Sequence, residues 1–205
     1  MLNIKATSKE HLQDLIAQAI ELEGYHANLN HIDVSCISDM SSLFDRVHQT
    51  STQRFNFSFF TGDISKWNTS NVENMTGMFK KSHYKGDLSL WNVERVNTMN
   101  SMFESSSCRI EAATWKTLSL TSTDSMFAYA SSCPDISNWG MSKVVSMVEM
   151  FKATPFSADL SGWDTSALTN AEATFRDSAF TGDVSHLDTS RLVHASGMFA
   201  WSVFN

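Results

Sequence analysis

A phenylalanine recurs at one constant interval along this chain, and this regularity constrains the fold more than any other feature of the sequence. The positions are Phe79, Phe103, Phe127, Phe151, Phe175 and Phe199. Each lies 24 residues after the one before (103 − 79 = 24), so the repeat length is 24 residues. A methionine directly precedes five of these six residues. A fixed period of this length is typical of repeat proteins, in which each unit buries its apolar side only against its neighbours. The period therefore predicts one elongated repeat array and not two separately packed domains.

Each repeat carries two recognisable segments. The first reads Gly-Asp-Ile/Leu-Ser-x-Trp, and the second reads Val-x-x-Met-x-x-Met-Phe. The first is short, apolar at both ends and follows a glycine, which predicts a brief strand. The second has apolar residues at spacings of three, three and one, which predicts a helical or 3-10 turn. Stacking of such units predicts an α/β repeat fold, a leucine-rich-repeat-like solenoid of about seven rungs with parallel strands.

Residues 1–27 and 28–205 are expected to play different parts. A capping box from Thr7 to Glu10 and a left-handed stop at Gly24 predict one N-terminal helix that covers the apolar end of the array. Its apolar stripe is Leu12, Leu15, Ile16, Ala19 and Ile20. The first repeat aligns on Phe44, which lies 35 residues before Phe79, so an insertion of 11 residues falls within positions 45–59. Trp201, Val203 and Phe204 are expected to cover the last repeat.

Composition and motifs argue against several functions. A formal charge of −7 disfavours nucleic-acid binding, since phosphate contacts need a basic surface, and favours a basic partner. The histidines show no metal-ligand spacing, and neither a nucleophile elbow nor a phosphate-binding loop is present, so no cofactor, metal or enzymatic activity is expected. The three cysteines are expected to be reduced, although Cys108 and Cys133 would lie on neighbouring rungs. Without a basic and apolar leader or a spanning segment, the chain is expected to be cytoplasmic, with no membrane contact.

Three sets of residues are candidates for contact with a partner. The first is an acidic column, which could instead be structural if each carboxylate holds the turn into the strand; its members are Asp63, Asp87, Glu111, Asp135, Asp159 and Asp183. The second is a column of varying chemistry before the tryptophans, expected on a concave, solvent-facing side; it includes Lys66, Leu90, Asn138 and His186. The third is the insertion, where an extended Phe-x-Phe-x-Phe segment would either meet a partner or fold back over the repeat; its candidates are Arg54, Phe55 and Phe57.

The two repeated segments together resemble the BspA-like bacterial leucine-rich repeats over about residues 28 to 205, and the N-terminal helix resembles the leader of that family. The resemblance implies a right-handed solenoid without enzymatic activity. Family members are usually surface proteins that bind other proteins.

These observations lead to one preferred function and one alternative. The preferred function is a cytosolic immunity protein that binds and blocks a delivered bacterial toxin, such as a nuclease, as a monomer in a heterodimeric complex. Acidic charge would speed association with a basic nuclease groove. The alternative is an exported surface protein or adhesin that binds proteins of a host or of neighbouring cells, in which case the chain would lie at the cell surface. A calcium-dependent roll is disfavoured because the glycine-rich calcium-binding spacing is absent.

Overall fold

The regular elements of the chain lie near its N-terminus. The structure, a computed structural model, describes residues 3–45 and 55–204. Within these residues the elements are strand β1 (Ile4–Lys5), helix α1 (Lys9–Glu23), strand β2 (Ile32–Asp33) and a 3-10 helix, η1 (Phe57–Phe59). Strands β1 and β2 pair in parallel, with Ile4 opposite Ile32. The other described residues form turns, bends and isolated parallel bridges. In residues 3–45 and 55–204, no helix is long and apolar enough to cross a membrane.

Helix α1 forms where the sequence predicts a helix, but its cap is shifted by one residue. Ser8 is the N-cap, and its hydroxyl accepts a hydrogen bond from the His11 N–H at 3.1 Å. The Thr7 hydroxyl instead contacts His11 Nδ1 at 2.9 Å, so the predicted capping box from Thr7 is wrong. Gly24 ends the helix at φ 83°, and its N–H donates to the Ile20 carbonyl at 2.8 Å. All five residues of the apolar stripe are buried, as predicted.

Successive repeats stack through a column of polar residues. After a first bridge between Asp39 and Asn74, the bridged positions follow one another at the same interval as the phenylalanines. They are Asn74, Thr98, Ser122, Ser146, Asn170 and His194. From Met75 to Lys81, alternate N–H groups donate to carbonyls of the following repeat, as Met75 does to Thr98 at 3.0 Å. The N–H groups between them close turns within their own repeat, as Met78 does to the Met75 carbonyl at 3.2 Å.

The segment predicted to be a strand forms a turn. Trp67 donates its backbone N–H to the Ile64 carbonyl at 3.2 Å, and Trp91 makes the same turn one repeat later. The Asp63 carboxylate accepts the N–H of Ser65 at 3.0 Å. An Asp side chain that satisfies the local backbone favours a closed turn over an extended segment. The parallel bridges that recur from repeat to repeat therefore lie after the Val72 position, whereas the segment before the tryptophan forms such a bridge at Asp63, with Asn28 of the first repeat.

Two positions in each repeat, four residues apart, adopt left-handed backbone conformations. The first set is Gly77, Ser101, Ser125, Glu149, Ala173 and Gly197. The second set is Lys81, Ser105, Tyr129, Ala153, Asp177 and Trp201. Only two of these twelve residues are glycine, although a left-handed conformation costs other residues about 1 kcal/mol or more. The strain recurs because these turns aim alternate N–H groups along the stack.

The predicted phenylalanine column is a continuous stack of rings. From Phe44 to Phe199, neighbouring ring centroids lie 5.3–6.1 Å apart with interplanar angles of 1–15°. The tryptophan column runs beside it, and each indole Nε1–H donates to a carbonyl of the preceding repeat at 2.9–3.2 Å. Its members with this bond are Trp67, Trp91, Trp115, Trp139 and Trp163. The phenylalanine column thus joins the repeats by ring stacking, and the tryptophan column joins them by hydrogen bonds as well as by apolar contact.

A second aromatic column lies beside the first. Its aromatic members are Phe60, Tyr84, Phe156, Phe180 and Phe204, again separated by whole multiples of the repeat length. Cys108 and Ser132 occupy the two positions between Tyr84 and Phe156. Where Tyr84 is present, the residue two positions later is Gly86, because a Cβ there would lie 2.0 Å from the Tyr84 hydroxyl oxygen. At the interruption this residue is Ile110 or Pro134 instead.

The first repeat joins the array at the predicted offset, which is longer than one repeat length. Phe44 donates its N–H to the Met78 carbonyl at 2.8 Å and stacks on Phe79. His83 donates to the Ser58 carbonyl, a bond that Ser107 and Ser131 repeat with carbonyls of their preceding repeats. The additional residues therefore lie between Phe44 and Ser58.

The last repeat is covered differently from the prediction. Phe204 packs on Phe199 with ring centroids 4.4 Å apart, since it falls in the second aromatic column. Trp201 and Val203 do not cover this end, because their side chains are 75% and 59% exposed. Trp201 occupies the second left-handed position of its repeat, which faces solvent.

Candidate protein-binding surfaces

The acidic column is exposed and locally hydrogen-bonded. Its five aspartates each accept the N–H of the serine two residues later at 2.8–3.0 Å. This bond is the main reason that the pKa of each of these carboxyls lies below its ordinary value of 3.8. Asp63 is half-buried, and the other members, Glu111 included, are exposed. Neighbouring carboxylates oppose this lowering, as Asp63 does for the pKa of Asp87.

The column therefore has the structural role proposed for it and also a charged outer surface. One carboxylate oxygen of each aspartate holds the turn, and the side chain remains anchored at that point. Glu111 is followed two positions later by Ala113 instead of a serine, so its repeat departs from the pattern. Anchored, exposed carboxylates are organised before any partner arrives, which reduces the entropy lost on binding.

The column before the tryptophans is largely exposed, in agreement with its varying chemistry. Lys66 and Asn138 are exposed, the Leu90 side chain is 74% exposed, and His186 is half-buried. The His186 imidazole contributes, after the serine hydrogen bonds, to the lowered pKa of both Asp159 and Asp183. At this end of the array the structure thus brings the varying column and the acidic column together.

The insertion contributes less surface than the sequence suggests. Arg54 lies outside the described residues. Phe57 is buried in the core with 3% of its surface exposed, so its proposed contact with a partner is wrong. The segment is the 3-10 helix η1 and not an extended strand, and three residues per turn point Phe57 and Phe59 in different directions. Phe55 is half-buried with its ring edge-on to Tyr25, at a centroid distance of 6.5 Å.

Two exposed aromatic side chains were not predicted as surface features. Tyr129 and Trp201 occupy the second left-handed position of their repeats and are 52% and 75% exposed. The Lys152 ammonium lies 5.6 Å from the Tyr129 ring centroid, and the Arg176 guanidinium lies 4.3 Å from that of Trp201. A signal was available, because each occupies a repeat position where Ser, Ala, Asp and Lys also occur, which a core position would not tolerate.

A shallow groove crosses the array where the second aromatic column is interrupted. It consists of two adjoining cavities of about 370 and 310 Å³ that share Cys133, Pro134 and Asp135. Arg109 and Glu111 lie at one end, and Phe156 and Asp159 lie at the other. We call this feature the Pro134 groove. The sequence signal for the groove is one repeat position, which is glycine at Gly62, Gly86 and Gly182. In the three repeats between Gly86 and Gly182 the same position is Ile110, Pro134 and Ala158.

The cysteines near the groove are free thiols. Cys108 is buried and Cys133 is half-buried, and no disulfide joins them. Burial raises the pKa of the Cys108 thiol to about 11. Burial, and to a smaller degree the neighbouring Asp135, also raises the pKa of Cys133. Both thiols are therefore protonated at neutral pH.

Residues 3–45 and 55–204 contain no group of three or more His, Cys, Asp or Glu side chains placed to hold a metal ion.

Two overlapping segments of the chain, residues 10–134 and 106–205, match the model of a family described as "Mycoplasma protein of unknown function, DUF285". Neither a curated protein nor a solved structure matches the chain.

Proposed function

The chain belongs to this DUF285 family, and from that premise we propose that it is a non-catalytic, protein-binding solenoid of the BspA-like leucine-rich-repeat type. In this proposal the solenoid is right-handed, acts in the cytoplasm and binds a basic protein partner. Its repeats form a stiff support, because ring stacking, indole hydrogen bonds and backbone bonds all join one repeat to the next. A stiff array presents an extended surface to one macromolecule without a cost in ordering loops.

The observation that carries this proposal is the anchored acidic column. Four of its aspartates are exposed, and each is held by a serine N–H. Parallel repeats lie about 4.8 Å apart, so Asp135, Asp159 and Asp183 form a row with that spacing, and Asp87 lies two repeats from Asp135. Together with the net charge of −7, such a row attracts a basic surface at long range and contacts it at short range.

The specific role that we propose is that of an immunity protein. It binds a delivered toxin such as a nuclease, forms a one-to-one complex, and covers the basic groove in which the toxin would hold nucleic acid. A protein with this role needs a rigid acidic surface and no chemistry of its own. Substrate and inhibitor then compete for the same positive charges.

Protection of cells tests this role. The chain is co-expressed with the products of genes adjacent to its own, and survival is compared with a variant in which Asp87, Asp135, Asp159 and Asp183 are Asn. We expect the unaltered chain to protect cells against one such product and to co-purify with it, and the variant to protect weakly. Asn keeps an oxygen for the serine N–H, so folding serves as the control, measured by circular dichroism. If no adjacent product is toxic, or if protection does not depend on these carboxylates, the immunity role is rejected.

A second candidate is an exported surface protein that binds other proteins. It is supported by the resemblance to BspA-like repeats and by the exposed aromatic side chains of Tyr129 and Trp201, since Tyr and Trp anchor many protein interfaces. Fractionation of cells that express the natural gene separates the two candidates. Protein at the cell surface supports this second candidate, and protein only in the cytoplasm supports the immunity role.

A further inference from the structure

The Pro134 groove exists because two repeats depart from the packing of the others. In the repeats that contain Tyr84 and Phe180, an aromatic ring fills the position and a glycine two residues later leaves space for it. At Ser132 no ring is present, and Pro134 stands in place of the glycine. The surface is therefore hollow at the interruption, between the repeats that Tyr84 and Phe156 fill.

The floor and the rim of the groove differ in chemistry. The half-buried Pro134 supplies most of the apolar floor, and the buried Ile110 and Phe156, 8% and 1% exposed, lie beneath it. Asp135 and Asp159 stand on the rim one repeat apart. Their Oδ1 atoms accept serine N–H groups at 3.0 and 2.8 Å, which fixes both carboxylates beside the apolar floor.

This pairing of surfaces matches one type of side chain. Lysine and arginine carry an aliphatic stem that packs on apolar surface and a charged head that stays near water or a carboxylate. An aspartate with one oxygen held by the backbone can still accept a charge-assisted hydrogen bond through its other oxygen. The protonated thiol of Cys133 adds no charge to the groove, so the two carboxylates carry its negative charge on this side.

We propose that the Pro134 groove binds an extended segment of a protein partner whose lysine or arginine side chain lies on the floor, with its cation between Asp135 and Asp159. This inference rests on the proposed protein-binding function and names its contact site. Three repeats span about 10 Å, which an extended segment of about three to four residues covers. Arg109 and Glu111, at the opposite end from Asp159, carry opposite charges, so that end has no net preference for a second charged residue.

Binding of a labelled peptide tests this inference without the natural partner. The probe is a fluorescein-labelled hexapeptide of alternating arginine and leucine, and fluorescence anisotropy is measured at low ionic strength. The control peptide has glutamate in place of arginine. We expect the arginine peptide to bind at least tenfold more tightly than the glutamate peptide.

Three double variants locate the binding. Ser132→Phe with Pro134→Gly copies the filled pattern of Phe180 and Gly182, and we expect it to weaken binding at least tenfold with no loss of thermal stability. Asp135→Asn with Asp159→Asn removes the rim charges and should weaken binding to a similar degree. Asp164→Asn with Asp188→Asn is the matched control, because these exposed aspartates also accept serine N–H groups but lie away from the groove.

Each pattern of results decides the inference. It is overturned if the control pair weakens binding as much as the rim pair, since general charge would then explain the effect. Weaker peptide binding in the rim pair alone would place the peptide on the carboxylates and not in the groove, which overturns the inference. Weaker peptide binding in the filled variant alone would exclude a basic side chain between the two aspartates, which also overturns it. Peptide binding with the expected pattern but no protection of cells rejects the immunity role only. A natural partner whose affinity is unchanged in the rim pair rejects the groove only.

Discussion

Removal of one ring from the phenylalanine column is the most direct test of how the repeats hold together. Phe127 is 1% exposed and stacks between Phe103 and Phe151, at centroid distances of 5.6 and 6.1 Å. Truncation of a buried Phe to Ala costs about 3–5 kcal/mol, and an aromatic pair contributes about 0.5–1.5 kcal/mol beyond its buried area. With a ring on each face, we expect Phe127→Ala to lower the free energy of unfolding by about 4–5 kcal/mol.

The same substitution in the last repeat is the matched control. Phe199 is half-buried and has one neighbour in the column, Phe175 at 5.3 Å. We expect Phe199→Ala to cost about half as much as Phe127→Ala, because less of its surface is buried. Besides Phe175, the ring packed on Phe199 is Phe204 of the second aromatic column, at 4.4 Å, and not a ring of a following repeat. Urea unfolding at about 25 °C, followed by far-ultraviolet circular dichroism, measures both. An equal cost for the two variants would refute the view that stacking between repeats stabilises the column.

Three further substitutions test other features of the repeat. Ala153→Gly should raise the free energy of unfolding by about 0.5–1 kcal/mol, because φ is 52° there. Ala200→Gly, at a position without a positive φ, should lower it by a similar amount, and a shared sign would contradict the left-handed strain. Gly86→Ala should destabilise the chain by about 1–3 kcal/mol, because the added Cβ meets the Tyr84 ring. Tyr84→Cys in the same chain should remove most of that cost, as a double-mutant cycle measures. Additive effects would contradict the view that the aromatic ring requires the glycine two residues later. Asp135 has a lowered pKa in the folded chain, so its contribution to stability is present above about pH 4, the unfolded value, and is lost as the pH falls further. Asp135→Asn should therefore show a smaller drop in melting temperature between about pH 4 and pH 3 than the unaltered chain. An unchanged drop would exclude a contribution from this carboxyl.

The sequence predicts the repeat interior well, because burial imposes a strict period on large apolar residues. Phe127 and Trp139 lie where the constant repeat length places them, and Phe44 joins the stack at the expected offset. Helix α1 follows from its apolar stripe for the same reason. A misplaced cap, at Ser8 instead of Thr7, reflects two adjacent residues that can both accept a backbone N–H.

The contacts between repeats were harder to predict because polar residues make them. Asn74 and Asn170 are of a residue type that is depleted in strands, whereas the segment with Ile64 and Trp67 favours one, so the expected strand fell on the wrong segment. The left-handed turns were also hidden, because Tyr129 and Ala153 stand where glycine would be expected.

The candidate contact surfaces follow only partly from the sequence. Exposure at Leu90 agrees with its varying column, and the acidic column is as exposed as its pattern suggests, whereas Phe57 is buried. The Pro134 groove depends on what two residues lack, and a missing ring leaves a weaker trace in a sequence than a present one. Partner binding by the remaining candidates stays a prediction.

The direction of the backbone bonds between repeats limits how two copies can meet. From Met75 to Lys81, and at the equivalent positions of later repeats, the N–H groups point toward the following repeat and the carbonyls that accept them point back. Two copies that meet by the same edge would thus oppose donor to donor or acceptor to acceptor. Strand edges that carry both groups can pair with their own copies and seed aggregation. An array whose two edges are unlike is protected at its central positions from pairing between like edges, without charged or proline guard residues there.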